Sequence, residues 1–437
     1  MGPLMNIHFR TGESDEGAAI FRVLERAFRL EPGSSAWEHK RQEAFRSPES
    51  FQVIEGEGRI IGAAHVRRDR LRVGKCAIVK GDVGEVSVDP EFQGQGYGSA
   101  LMQHLVAWMR QQGFHVSRLG GSVRFYSRFG WVPFPRRYVE FPLTPVRAGA
   151  LTLPPEAGLE LSPGLERCLR AYDPDHDAAG RLAVYHHFNE NRTGSLVIEG
   201  EGKVLPSPIS PPLPLPPSGP SCVFHRNGEM LGYLLATEYP QDITEFEARL
   251  TIGEVAYRRD HPEALEAMLK HALRWAVGRG IRRATARLPF DEEVLGVLRR
   301  AGISFLAAEL ETAVASNMLR IVHLPLLLEA ILPELEARLA ASSHADWCGR
   351  FELSLESEAV LWEVADGRIR VTDSLRGAAV PHPGFRLATD TATLMRLILG
   401  LNGFGETPLA AACPDRAAVA VLAALFPRQP TASGPWG

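Results

Sequence analysis

The chain has 437 residues, 45% hydrophobic and 23% charged, enough apolar content for sizeable cores and a length that suggests two to four domains. A net charge of −4 argues against a nucleic-acid binder, which would carry a basic domain or stripe. The five cysteines are scattered and odd in number, with no C-x-x-C pair. With no signal-like N-terminus and no apolar run of membrane-spanning length, the expectation is a cytoplasmic protein with reduced thiols, no metal site and no membrane contact.

Ile7–Arg10 reads as a first strand, and Ser14, Asp15 and Glu16 as the N-cap and acidic first turn of a helix carrying Ile20, Val23, Leu24, Ala27 and Phe28. A polar helical patch follows around Trp37–Phe45. Ser50–Ile54 and Arg59–Val66 form a hairpin through Glu55–Gly58, and a second hairpin turns at Val73–Lys75 and returns as Cys76–Val79. A strand over Val83–Val88 then feeds a loop with glycines at alternate positions, Gly94, Gly96 and Gly98. The helix after it carries Leu101, Met102, Leu105, Val106, Trp108 and Met109, and Gly113 closes it in the left-handed C′ position. Glycines so placed let the backbone turn tightly and approach a ligand, and free amides at a helix start make an anion site suited to a pyrophosphate. No Lys follows the last glycine, which excludes a Walker-type loop. The glycine spacing also fails the dinucleotide fingerprint.

What the loop does match is Q-x-x-G-x-G after V-x-V-x-P, with Gln93, Gly96 and Gly98 at the motif positions. This resembles the acetyl-coenzyme A loop of the GNAT superfamily of N-acetyltransferases. Phe125-Tyr126-Ser127-Arg128-Phe129-Gly130-Trp131 resembles the second half of that signature, F-Y-x-x-x-G-F. The similarity covers about residues 5 to 145.

From Leu151 a proline-rich loop leads to a second unit: a helix over Arg181–Asn189, an extended proline-rich stretch over Val204–Pro220, a hairpin at Asn227-Gly228, a strand over Ala248–Tyr257, and a helix capped by Asp260-His261-Pro262. The order repeats that of the first unit, so a degenerate GNAT-like copy is expected. Arg258–Pro262 stands where the glycine loop stood, and the copy should not bind the cofactor unless Arg258 and Arg259 hold a phosphate by side chain. The last third gives a helix over Leu324–Ala341, short strands at Arg350–Leu355, Ala359–Glu363 and Arg368–Thr372, and a helix from Thr391 to Gly400. This resembles a sterol-carrier-protein-like α+β domain. The whole order is similar to the enhanced-intracellular-survival family of acetyltransferases. The expected fold class is therefore α/β (α+β), with a catalytic GNAT domain over 1–150, a degenerate GNAT-like domain over 151–313 and a sterol-carrier-like domain over 314–437.

The resemblance implies transfer of an acetyl group from acetyl-CoA to a primary amine of a small molecule or a lysine side chain. Main-chain contacts from Val86, Ser87 and Val88 would hold the pantetheine, and those from Gln93, Gly94, Gln95, Gly96, Tyr97, Gly98 and Ser99 the pyrophosphate. Tyr126 would donate a proton to the departing thiolate, a task for a phenol that is neutral at pH 7. The base is open among Asp82 and Glu85, which strand alternation puts on opposite faces unless a bulge intervenes, and the C-terminal carboxylate of Gly437. His104 reads as a helix-surface residue, and His186, His187 and His382 lack metal-ligand spacing. The resemblance further implies a homo-oligomer, a hexamer in the related family. Competing readings are a non-catalytic acyl-CoA sensor and a lipid-binding module.

Overall fold

A computed structural model describes residues 7–199, 219–239, 249–356, 358–374 and 384–432. The stretch expected to be extended over Val204–Pro220 falls almost wholly outside these, as do His382 and Gly437. The chain forms two compact units, one of residues up to Pro135 with Glu311–Gln429, the other of Arg136–Leu310 with the last residues from Pro430.

In the first unit the order is β1 (Ile7–Thr11), α1 (Gly17–Phe28), α2 (Ser35–Arg46), β2 (Phe51–Gly56), β3 (Arg59–Val73), β4 (Cys76–Val88), α3 (Tyr97–Gln111), β5 (Val116–Ser122), a helical turn α4 (Val123–Tyr126) and β6 (Val132–Pro133). Cys76–Val79 and Val83–Val88, read apart in the sequence, are one strand of 13 residues. The sheet order is β1-β2-β3-β4-β5, then strand Ala315–Ile321, then β6. β4 and β5 are parallel, and the other neighbours antiparallel.

Each sheet face has its own apolar layer. On one, α3 lays Tyr97, Leu101, Met102, Leu105 and Met109 over Ile61, Ala64 and Val66. On the other, α1 and α2 cover Phe51, Val53, Ile60 and Ala63 with Ile20, Phe21, Leu24 and Ala44. Gly113 has φ +73, and the amides of Gly113 and Phe114 reach back to Arg110 and Met109, the paired bonds of a Schellman ending. The expected acidic cap of α1 does not form. Glu16 occupies the N-cap but makes no side-chain cap bond, because its carboxylate is taken by Arg10 at 2.6 Å and by the Glu13 amide.

The C-terminal part of this unit is an α+β assembly. Four strands run in the order Arg368–Asp373, Glu358–Ala365, Gly349–Leu355, Phe385–Thr389, with helices Leu324–Ala340, Thr391–Ile398, Pro408–Ala412 and Arg416–Leu425. Phe351 stacks on Trp362 and Phe385 at 5.5 and 5.3 Å between ring centroids. The long helix meets the β3–β4 turn: Glu334 accepts from the Lys75 amide at 2.9 Å, and a side chain at Gly74 would collide with it.

The second unit repeats the plan. Its sheet runs Leu169–Ala171, Cys222–Arg226, Glu229–Tyr239, Arg249–Tyr257, Arg283–Ala286, Arg136–Pro142, Leu306–Leu310. Helices Pro174–Asn189, Pro262–Gly278 and Glu292–Arg300 accompany it. Of the expected capping run Asp260-His261-Pro262, His261 is the N-cap and Pro262 opens the helix, without a side-chain cap bond. In each sheet the sixth position is filled from a distant stretch of chain: Ala315–Ile321 in the first, Arg136–Pro142 in the second. Thr193 forms a parallel bridge with Thr431. Among the described residues no helix is long and apolar enough to cross a membrane.

Candidate active site

The site is built on the last third of β4. β4 and β5 pair in register from Lys80/Val116 to Val83/Leu119 and then part, while the far side of β5 continues to pair with Ala315–Ile321 as far as Ser122. A gap therefore opens in the sheet beyond Val83. On its other flank β4 is bulged: β3 pairs His65 with Gly84 and Ala63 with Ser87, and Glu85 takes φ +53. Cross-strand partners share a face, so Asp82 (opposite Arg67) and Gly84 (opposite His65) lie on the α2 face. The bulge adds Glu85 to that face, where it forms an ion pair with Lys40 of α2. The alternation expected for Asp82 and Glu85 is thus reversed, and the extra bulge residue is the cause.

The glycine loop follows. Gly94 and Gly96 have φ +75 and +94, a region closed to most side chains, and Gly96 is the N-cap of α3. Gln93 donates its side-chain amide to the Val88 carbonyl at 2.9 Å and Gln95 to the Glu91 carbonyl at 3.1 Å, so both glutamines brace the loop from within. The Gln93 amide bonds to Pro90 at 3.4 Å, and those of Ser99 and Ala100 to Gly96 at 3.0 Å. The five amides between them, Gly94 to Gly98, make no bond to any described residue. Five adjacent donors at a helix N-terminus, with open space around Gly94 and Gly96, form a cradle for an anion. A Cβ on Gly98 would make only ordinary contact with Phe125 and Val88 inside the chain.

Tyr126 ends the helical turn after β5, packed edge-on against Phe125 at 4.9 Å. Its ring lies against Gly121, where a Cβ would come within 2.7 Å. Burial raises the phenol above its ordinary pKa, and its hydroxyl bonds to no described residue, so at neutral pH it is a protonated donor with no acceptor among the described residues. Arg320, from the strand that returns beside β5, donates to the Phe129 carbonyl and stacks over Trp131 at 5.6 Å, which fixes the turn on its far side. Gly130, at φ +80, leaves the room this guanidinium occupies.

Asp82 sits in a buried charge cluster. Burial alone would raise its carboxyl, but Lys80, Arg118 and Arg67 outweigh that and hold it below the ordinary carboxylate range. The contacts are 3.5 Å to Lys80, 3.1 Å to Arg118 and 2.9 Å to Arg67, and Lys80 is fully buried against Asp69 as well. Arg118 also reaches Asn317 at 2.9 Å. Nearby on the α2 face stands His65, its ring 4.8 Å from Phe51. His104 donates its Nε2–H to the Gln52 amide oxygen at 3.0 Å and stacks on Phe9, a packing role. In the second unit Arg258 pairs with Glu229 at 2.8 Å and Arg259 with Glu293 at 2.5 Å, so both arginines are already engaged by carboxylates.

Sequence pattern alone does not single out His65, Lys40, Lys80, Arg118 or Arg320. For some of them a signal exists: His65, Arg67 and Asp69 alternate on β3 opposite Lys80 and Asp82 as a polar stripe on one face. Arg320 has none, since nothing local says that its strand joins the first sheet.

A mixed sheet whose central parallel strands part beside a glycine loop, with a phenol on the turn after the second strand, is the arrangement the first unit presents. Residues 8–134 match the family model of the acetyltransferase (GNAT) domain. The whole chain shares its fold with solved proteins of closely matching length. A probable N-acyltransferase of Enterococcus faecalis V583 aligns over 98% of both chains at TM-score 0.63 and 14% identity. A GCN5-related N-acetyltransferase from Kribbella flavida aligns over 98% of this chain and 96% of its own at 0.60 and 20%. Eis1 from Mycobacterium abscessus aligns over 98% and 99% at 0.57 and 18%. No curated protein matches the sequence.

Proposed function

We propose that the chain is an N-acetyltransferase that moves an acetyl group from acetyl-CoA to a primary amine, on a small molecule or a lysine side chain. The observation that carries this reading is the run of five unpaired amides from Gly94 to Gly98 at the start of α3, beside the gap between β4 and β5. A diphosphate seated there gains charge-assisted bonds and the helix dipole together. The pantetheine then runs along Val86–Val88, whose pairing with β5 has ended, and its thioester reaches the gap. Tyr126 protonates the departing thiolate. Asp82, held by three cations, we assign to fixing Arg67 and Arg118 rather than to taking the amine's proton.

Calorimetry with coenzyme A tests the cradle; absence of heat removes the reading. Release of free thiol from acetyl-CoA with polyamines, aminoglycosides and lysine peptides tests the chemistry. Binding without release from any of them leaves an acyl-CoA sensor. Tyr126→Phe should lower turnover by about ten- to a thousandfold and leave coenzyme A affinity within about twofold. Unchanged turnover removes the acid role. We further propose that the C-terminal α+β assembly is sterol-carrier-like in outline, and that the stacked Phe351, Trp362 and Phe385 make it structural and not a carrier. Homo-oligomerisation and a cytoplasmic setting belong to the same proposal.

A further inference from the structure

We propose that His65 is the general base of the reaction, taking the acceptor amine's proton through a water held over Gly84. The inference rests on the acetyl-transfer reading above. With the carrier's diphosphate on the loop at the α3 end of β4, the thioester lies in the gap beyond Val83, and an amine reaches it from the α2 face. His65 and Gly84 are cross-strand partners on that face. Nothing lies within 4 Å of where a Cβ on Gly84 would point, so open space adjoins the strand opposite His65. The ring nitrogens of His65 bond to no described residue, in contrast to His115, whose Nδ1 accepts from the Val79 amide at 2.8 Å.

The charged groups acting on the ring are Glu43 from α2, Arg67 from β3 itself, and Asp82 and Glu85 from β4. Burial and Arg67 favour the neutral ring; Glu43, Glu85 and Asp82 favour the charged one. Burial prevails, and His65 stays below its ordinary pKa. It is therefore a free base at pH 7, while the carboxylates can stabilise the imidazolium that forms. Of the candidate acids among the described residues, Asp82 is engaged by three cations and Glu85 by Lys40. In the step itself the amine nitrogen bonds to the thioester carbon and the carbon–sulfur bond breaks. The nitrogen's proton passes through water to His65, the thiolate takes the Tyr126 proton, and the imidazolium returns its proton through solvent to the phenolate.

The test uses the full chain with acetyl-CoA and three acceptors, spermidine, an aminoglycoside and a lysine peptide, following thiol release from about pH 5 to about pH 9. In the wild type kcat/KM should show two ionisations, that of the amine and one below about 6.5. His65→Ala should lose the lower one, fall by about 10²- to 10³-fold, and regain at least about tenfold with added imidazole, while the heat of coenzyme A binding is unchanged. If the alanine variant no longer binds coenzyme A, His65→Gln supplies the profile and should lack the same lower ionisation. A variant that binds coenzyme A yet keeps that ionisation, or an alanine variant that imidazole does not help, overturns the base and leaves acetyl transfer standing. A wild type that binds coenzyme A but acetylates none of the three acceptors overturns both.

Discussion

At the scale of single residues, Asp82 takes part in three ion pairs at once. Its two oxygens serve three cations, one of them the fully buried Lys80. Removing one partner of a buried pair leaves the other charge without compensation, a larger loss than the pair's own net contribution. Asp82→Asn should therefore cost about 3 kcal/mol, read as a lowered midpoint in urea. The pH dependence has a definite sign. A carboxyl whose folded pKa lies below its unfolded value stabilises fully above the unfolded value, near about 3.9, and that stability is lost as pH falls through the lower folded value. The wild type should lose stability through that acidic window, and the asparagine variant should lose less across it. Equal slopes in both would mean that the cluster does not hold Asp82 in the way its geometry implies.

For the elements, what counts is how β4 ends and α3 begins. The loop is legible in the sequence because glycine is the one residue that needs no context to signal φ above zero, and Gly94 and Gly96 do adopt it. Both hairpin turns and the Schellman ending at Gly113 are marked in the same way. The bulge is not legible: Glu85 carries no mark of a left-handed residue, and only the register against β3 shows two residues where one is expected. That slip moves Glu85 to the face of Asp82 and makes the environment of His65. The loop glycines separate two effects. Gly96→Ala places a Cβ at φ +94 and should cost about 1–2 kcal/mol of stability and weaken coenzyme A as well. Gly98→Ala meets only ordinary contacts within the chain. Its stability should be near wild type, and a loss of coenzyme A affinity would report close approach of ligand to backbone. If both variants bind coenzyme A as the wild type does, the amides at 94–98 are not its cradle.

At the scale of the whole molecule the local pattern fails for a clear reason. Periodicity tells helix from strand, but two short runs of equal length carry no label for the sheet they join. Arg136–Pro142 and Ala315–Ile321 are such runs, and each occupies the sixth place of a sheet whose neighbours come from elsewhere in the chain. The contiguous stretch that matches the family model, 8–134, is thus not a closed structure. Without Ala315–Ile321 the β5 edge is bare from Val116 to Ser122, and β6 has no partner. The apolar layer under α3 loses Met318 and Val322, and Arg320 no longer holds the Phe129 carbonyl behind Tyr126. An exposed edge with a stripped core is a template for association. A fragment ending at Pro135 should accumulate insoluble or fail to bind coenzyme A. Joining it by a flexible linker to 311–429 should restore a soluble, coenzyme A-binding species, since those two stretches make one compact unit. A fragment that binds coenzyme A as tightly as the full chain would show that the returning strand is dispensable, and that the site does not need Arg320 and Asn317 to hold it in place.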